Sequence, residues 1–215
     1  MTTGRPVTAG SRPADCGIAL PLAFWSFVQV SVLAVAAVDL PLVLSQAQPT
    51  ERWAVPLLSG VQIGVTALFA GRLLGSVSNA TFSIALVWPL LQLAGLLGGE
   101  PQWHILATSG AVTLWLSALA CWMAAMPHSA RPIVSALASA WTLGGAALAY
   151  CHADFGSRPG ESVFPTAAGL SPLLDVVWVS TDPSHWGPWI VSAIHCCLAT
   201  TVLVIARLRR SPTRA

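Results

Sequence analysis

LLGSVSNATFSIALVWPLLQLAGLLGG, residues 73–99, runs from Arg72 to Glu100 without an acidic or basic side chain. A helix needs about 20 apolar residues, at 1.5 Å of rise each, to cross a bilayer, and this run is longer than that. Five further charge-free runs surround it: Cys16–Val38, Trp53–Gly71, Pro101–Ala130, Pro132–Ala153 and Pro183–Ala206. Trimmed to their apolar cores, the six predict helices near 17–40, 53–71, 79–98, 104–126, 133–151 and 187–206. The second is the weakest, with Pro56, Ser59, Gln62, Thr66 and three glycines in a barely sufficient length. The first is too long for the h-region of a signal peptide, and Asp39 with Pro41 is expected to end it.

Composition agrees. Of 215 residues 55% are hydrophobic and 8% charged, against about 25% charged in soluble domains, and the mean hydropathy is +0.71. A soluble domain and a disordered chain are both excluded. The expected fold is an all-α, polytopic membrane bundle of five to six transmembrane helices over residues 16–210, between tails at 1–15 and 211–215. All ten basic residues are Arg, with no polybasic patch for nucleic acid. The five cysteines form no CxxC pair and read as small apolar residues.

Arginine placement orients the helices. With six spans and both ends cytoplasmic, Arg5, Arg12, Arg72, Arg131, Arg207, Arg209, Arg210 and Arg214 fall inside, and only Arg52 and Arg158 outside. Trp53, Trp103, Trp186 and Trp189 mark interfaces, while Trp88, Trp115 and Trp141 lie within spans and read as packing residues. Gly60–Gly64, Gly71–Gly75 and Ala140–Gly144 have the spacing that lets helix backbones approach in lipid.

Residues 152–186 form the long outer loop. Within it Ser171-Pro172 resembles a helix start, Ser as N-cap and Asp175 in the first turn. A short apolar helix on or dipping into the outer leaflet is expected, ending at Asp182-Pro183. His152, Asp154, Glu161, Asp175, Asp182 and His185 lack metal-ligand spacing; they read as solvated loop charge, and no metal or cofactor is expected. His195, in Ala193-Ile194-His195-Cys196-Cys197, is the unusual intramembrane group. Ser192 and Ala199 share its face, so it is expected to point into the bundle. A redox alternative would use His104, His152 or His195 as haem ligands, and a non-catalytic scaffold is a third reading.

From Glu51 onward the order of motifs resembles the permease subunits of exporter-type ("type 2") ATP-binding cassette transporters. Glu51-Arg52 is followed by Pro56-Leu57-Leu58, then by Gly71-Arg72-Leu73-Leu74-Gly75 and a helix ending Leu96-Leu97-Gly98-Gly99. The turn His128-Ser129-Ala130-Arg131, the segment Leu170-Ser171-Pro172 and a last helix ending Ala206-Arg207-Leu208-Arg209-Arg210 complete the order. One helix precedes the Glu-Arg segment, where the family has two. The resemblance implies a cytoplasmic-membrane permease subunit with a cytoplasmic C-terminus, working by alternating access. Its partners would be a separate ATPase subunit and a second permease chain in the lipid bilayer, and its ATPase-coupling residues Glu51, Arg52, Arg72 and Arg131. There is no Walker A motif, so the chain itself is not expected to be an enzyme. Under the resemblance 53–71 would lie on the inner face rather than span, and this placement is weakly preferred because the segment is short and rich in Gly, Ser and Pro56.

Overall fold

The computed structural model describes residues 16–45, 54–155, 171–181, 183–184 and 186–210. Among them are eight helices and no strand: α1 (Cys16–Ser45), α2 (Ala54–Leu68), α3 (Ala70–Leu73), α4 (Val77–Gly98), α5 (Gln102–Ala125), α6 (Arg131–Phe155), α7 (Pro172–Thr181) and α8 (Trp186–Arg210). Four stretches, Ala19–Val38, Val77–Gly98, Gln102–Ala125 and Trp186–Arg209, are long and apolar enough to cross a membrane. The apolar span within α1 ends at Val38, just before Asp39 as expected, while the helix itself continues to Ser45; an internal proline removes one backbone donor and leaves the other helical bonds in place.

Local chemistry sets the turns. Ser76, in extended conformation, caps α4 by accepting from the Asn79 amide at 3.2 Å. At the far end Gly99 takes φ 65°, the left-handed conformation that a helix C-terminus favours in glycine, and its amide bonds to Gly95 O. Pro101 then opens α5. The return is tight because Gly95 lies against Ile105, whose side chain a Cβ at position 95 would strike.

Cross-helix contacts give each helix its direction. The Trp25 indole donates to Thr66 Oγ1 at 3.2 Å, while Leu33 and Ala36 share a cluster with Ala54, Val55 and Leu58, so α1 and α2 run antiparallel. Ala54 lies beside Gly98, and the far end of α2 meets α6, where Ser135 Oγ donates to the Ala67 and Leu68 carbonyls at 3.0 and 3.3 Å. Arg131 Nη1 donates to Gly75 O at 2.9 Å. On α8, Trp189 packs at Gly110, His195 against Trp115, and Arg207 lines a cavity with Cys121 and Arg131. Thus α1, α2 with α3, α4, α5, α6 and α8 alternate between a Gly99 end and an Arg131 end. Together α2 and α3 cover Ala54–Leu73, roughly 30 Å of rise, with a break at Phe69.

Two expectations need correction. Segment 53–71 does not coat a surface: α2 packs on α1, α4, α5, α6 and α7, and Ser59, Gln62 and Thr66 are buried inside. Its polar side chains are its interior face. Of the two placements expected for α7, on the outer leaflet or dipping into it, the surface one does not hold: the helix is wedged against α2, α5, α6 and α8.

The small-residue pairs divide. Gly60 faces Leu173 and Gly64 faces Leu143, but Gly144 meets nothing, and its neighbour Gly145 is the one pressed against Ser171. Gly95→Ala should therefore lower thermal stability in detergent by about 1–3 kcal/mol, since Ile105 is buried and overpacking has no outlet. Gly144→Ala should be neutral or stabilising by up to about 1 kcal/mol from helix propensity. Equal melting temperatures for the two variants would contradict this packing.

Candidate functional site

Helix α7 begins at Pro172 as the Ser-Pro signal predicts, but Ser171 does not spend its hydroxyl on a cap. Its Oγ donates across to the Thr142 carbonyl of α6 at 3.1 Å. That bond pins the start of α7 to α6 and draws the next inward residue, Asp175, into the bundle. Asp175 is 1% exposed, and neither carboxylate oxygen has a hydrogen-bond partner among the described residues. This overturns its reading as solvated loop charge. The signal was present: Leu173, Leu174, Val176, Val177 and Val179 surround Asp175 in sequence, and a helix apolar on all sides is a buried helix.

The helices packed on α7 carry further unpartnered polar atoms. Gln62 on α2, Ser109 on α5 and Ser192 on α8 are each buried without a hydrogen-bond partner among the described residues. Such groups are costly when they stay unsatisfied, and Trp115 Nε1 on α5 is another. Asp175 lies outside the four apolar spans, and burial pushes its carboxyl up to about 8. Near neutral pH it is therefore chiefly the neutral acid, which can donate one hydrogen bond as well as accept.

His195 does point inward. It lies against Trp115 and Trp141, with ring centroids at 4.6 and 4.8 Å, and the two indoles meet edge to face at 5.7 Å. Its Nδ1 is 2.9 Å from Val191 O, one turn back on the same helix, a geometry that suits an Nδ1–H donor and leaves Nε2 as the acceptor. A void of about 40 Å³ opens beside it, lined by Ile63, Thr142 and Pro172 as well as the two indoles. A water needs roughly 10–15 Å³ by this measure, so the void has space for a few waters but not for an organic solute.

The other sequence candidates separate. Arg72 and Arg131 line one cavity at the Arg131 end. Glu51 and Arg52 lie outside the described residues, and the helix that follows them starts at the opposite end. Among the haem candidates, His104 sits at the start of α5 with Nδ1 3.3 Å from Ser180 O and 3.9 Å from Glu100 Oε2. His195 packs three turns further along α5, so the two cannot ligate one iron. The side chain of His152 lies outside the described residues, as do Asp154, Glu161, Asp182 and His185. Among the described residues no group of three or more His, Cys, Asp or Glu comes together as a metal site.

No protein-family model matches the chain, and no curated relative or solved structure matches it either.

The raised pKa of Asp175 has a stability consequence with a definite sign. Its folded value near 8 exceeds the ordinary 3.8, so the protonated form is favoured in the fold. The stabilisation is complete below about pH 4, declines as pH rises, and is lost near pH 8, by at most about 1.4 kcal/mol per pH unit. Melting curves in detergent between pH 5 and 8 should show the wild type losing stability and Asp175→Asn flatter. Parallel pH profiles would place the carboxyl in water instead.

Proposed function

We propose that the chain is the membrane subunit of a transporter, and that cargo moves past the polar interior around Asp175. The observation that carries this reading is the buried Asp175 carboxyl, without a hydrogen-bond partner among the described residues, on a ten-residue helix that is too short to span. Ionisable groups at membrane depth are expensive, and those that persist mark pathways for solutes, ions or protons. Short helices ending inside a bundle are where transporters build such sites.

The proposal places six passes in the cytoplasmic membrane, with the Arg131 end and the C-terminus cytoplasmic. Arg72, Arg131, Arg207 and Arg209 gather at that end of the bundle, as the positive-inside rule asks. Energy input follows the sequence resemblance: a separate cassette ATPase, because the chain has no nucleotide motif of its own, and a second permease chain to complete the pathway. The enclosed position of α2 favours the six-pass form over one in which 53–71 rests on the inner face.

Two measurements test it. A cysteine at Gln48, in a background without the native cysteines, should react with an impermeant thiol reagent in intact cells, whereas one at Arg209 should react only after the cells are opened. The reverse pattern would invert the topology. Isolation in mild detergent should recover an ATPase subunit in stoichiometric amount; repeated recovery without one would remove the ATP-driven version while leaving the transport reading to Asp175→Ala, which should abolish transport without loss of expression.

A further inference from the structure

Two surface features meet at Leu68, which lines both. Below it, at the Arg131 end, lies a cavity of about 730 Å³ whose polar wall is Arg72, His128, Arg131, Ser135 and Ser139. Above it an apolar groove of about 610 Å³ follows α2 between α6 and α7, past Leu57, Val61, Gly64 and Leu143. The two are also joined along α6, where Ser139 in the cavity and Leu143 in the groove are one turn apart.

The shape is amphipathic in one direction. Glycine at positions 60 and 64 keeps the groove floor low, because neither carries a side chain to fill it. Leu57, Leu68 and Leu143 remain 47%, 50% and 43% exposed, so apolar surface is open along the whole length. From Leu57 to Leu68 the groove runs roughly 16 Å, close to the ~15 Å depth of one bilayer leaflet. At its polar end stand two guanidinium groups. Arg131 spends Nη1 on Gly75 O, and its Nε has no hydrogen-bond partner among the described residues.

We propose that this continuous cleft binds one anionic phospholipid per chain, its phosphate against Arg72 and Arg131 and one acyl chain along α2. Charge complementarity selects the headgroup: basic pockets between membrane helices hold anionic lipids in this way, and guanidinium pairs phosphate oxygens through several donors. A free phosphate would use the cavity and leave the groove empty. A phosphatidylcholine would fill the groove but bring no net negative charge to the arginines.

The test is native mass spectrometry of the full chain released from nanodiscs containing equal phosphatidylglycerol and phosphatidylcholine. The wild type should retain one phosphatidylglycerol, in clear excess over phosphatidylcholine. Arg72→Gln should weaken retention about fivefold, and Arg72→Lys should largely restore it. Val61→Trp, which fills the groove without touching the arginines, should also release the lipid; it keeps the proposal testable if Arg131→Gln perturbs the turn at Gly75. Equal retention of the two lipids would overturn the proposal. So would displacement by inorganic phosphate with Val61→Trp unchanged, which would mean a simple anion site. Retention unaffected by Arg72→Gln, alongside loss of a co-purifying ATPase, would instead make this end a protein-docking face.

Discussion

Ser59, Gln62 and Thr66 lie buried within one fifteen-residue helix whose Leu57 and Leu68 stay half exposed, so α2 needs protein against its polar face rather than all round. Groups of this kind lose more by facing lipid than apolar side chains gain there. The five neighbours of α2 follow from that requirement: α1 supplies the indole that bonds Thr66, α6 supplies the hydroxyl that meets the last α2 carbonyls, and α4, α5 and α7 pack on its other flanks, leaving the groove between α6 and α7 open. Helices α4, α5 and α8, by contrast, have the length and hydropathy to stand in lipid by themselves, and they form the frame around it.

Within that frame the two ionisable groups are held differently. His195 is satisfied locally, by its own helix at Val191 O and by two indole faces. Its environment is finished, apart from a void the size of a few waters. The Asp175 carboxylate has neither a backbone nor a side-chain partner among the described residues. A charged carboxylate in such surroundings would cost many kcal/mol, and the group avoids this by keeping its proton. The contrast is in hydrogen bonding: His195 Nδ1 has a partner at Val191 O, and the Asp175 carboxylate has none among the described residues.

Much of the architecture was legible from charge-free runs, because length and absence of charge are what a span requires. The expected 79–98 and 104–126 appear as Val77–Gly98 and Gln102–Ala125, and the last helix is only extended at its ends. The inward orientation of His195 was readable from Ser192 and Ala199 on its face. The placement of α2 was not, because hydropathy measures how apolar a segment is and cannot tell a lipid-facing side from a protein-facing one. Asp175 was misread for a related reason: its position in a loop between spans suggested solvent, although the apolar residues on both sides of it indicated burial. Charge counting put Arg72 and Arg131 on the same side, but the cavity they share was not readable, since they are distant in sequence and meet only when α3 packs on α6.

The wedged position of α7 has a consequence for biosynthesis. The chain emerges N-terminus first, so α2 is complete more than a hundred residues before Pro172–Thr181 has been made. At about 5–20 residues per second, the side of α2 that α7 will cover waits roughly 5–20 s, while α5 and α6, which end nearer to α7 in the chain, wait a shorter time. The bundle therefore cannot close progressively as each helix arrives. One interior piece comes late, and it must enter a cleft that the earlier helices have held open before α8 packs beside it.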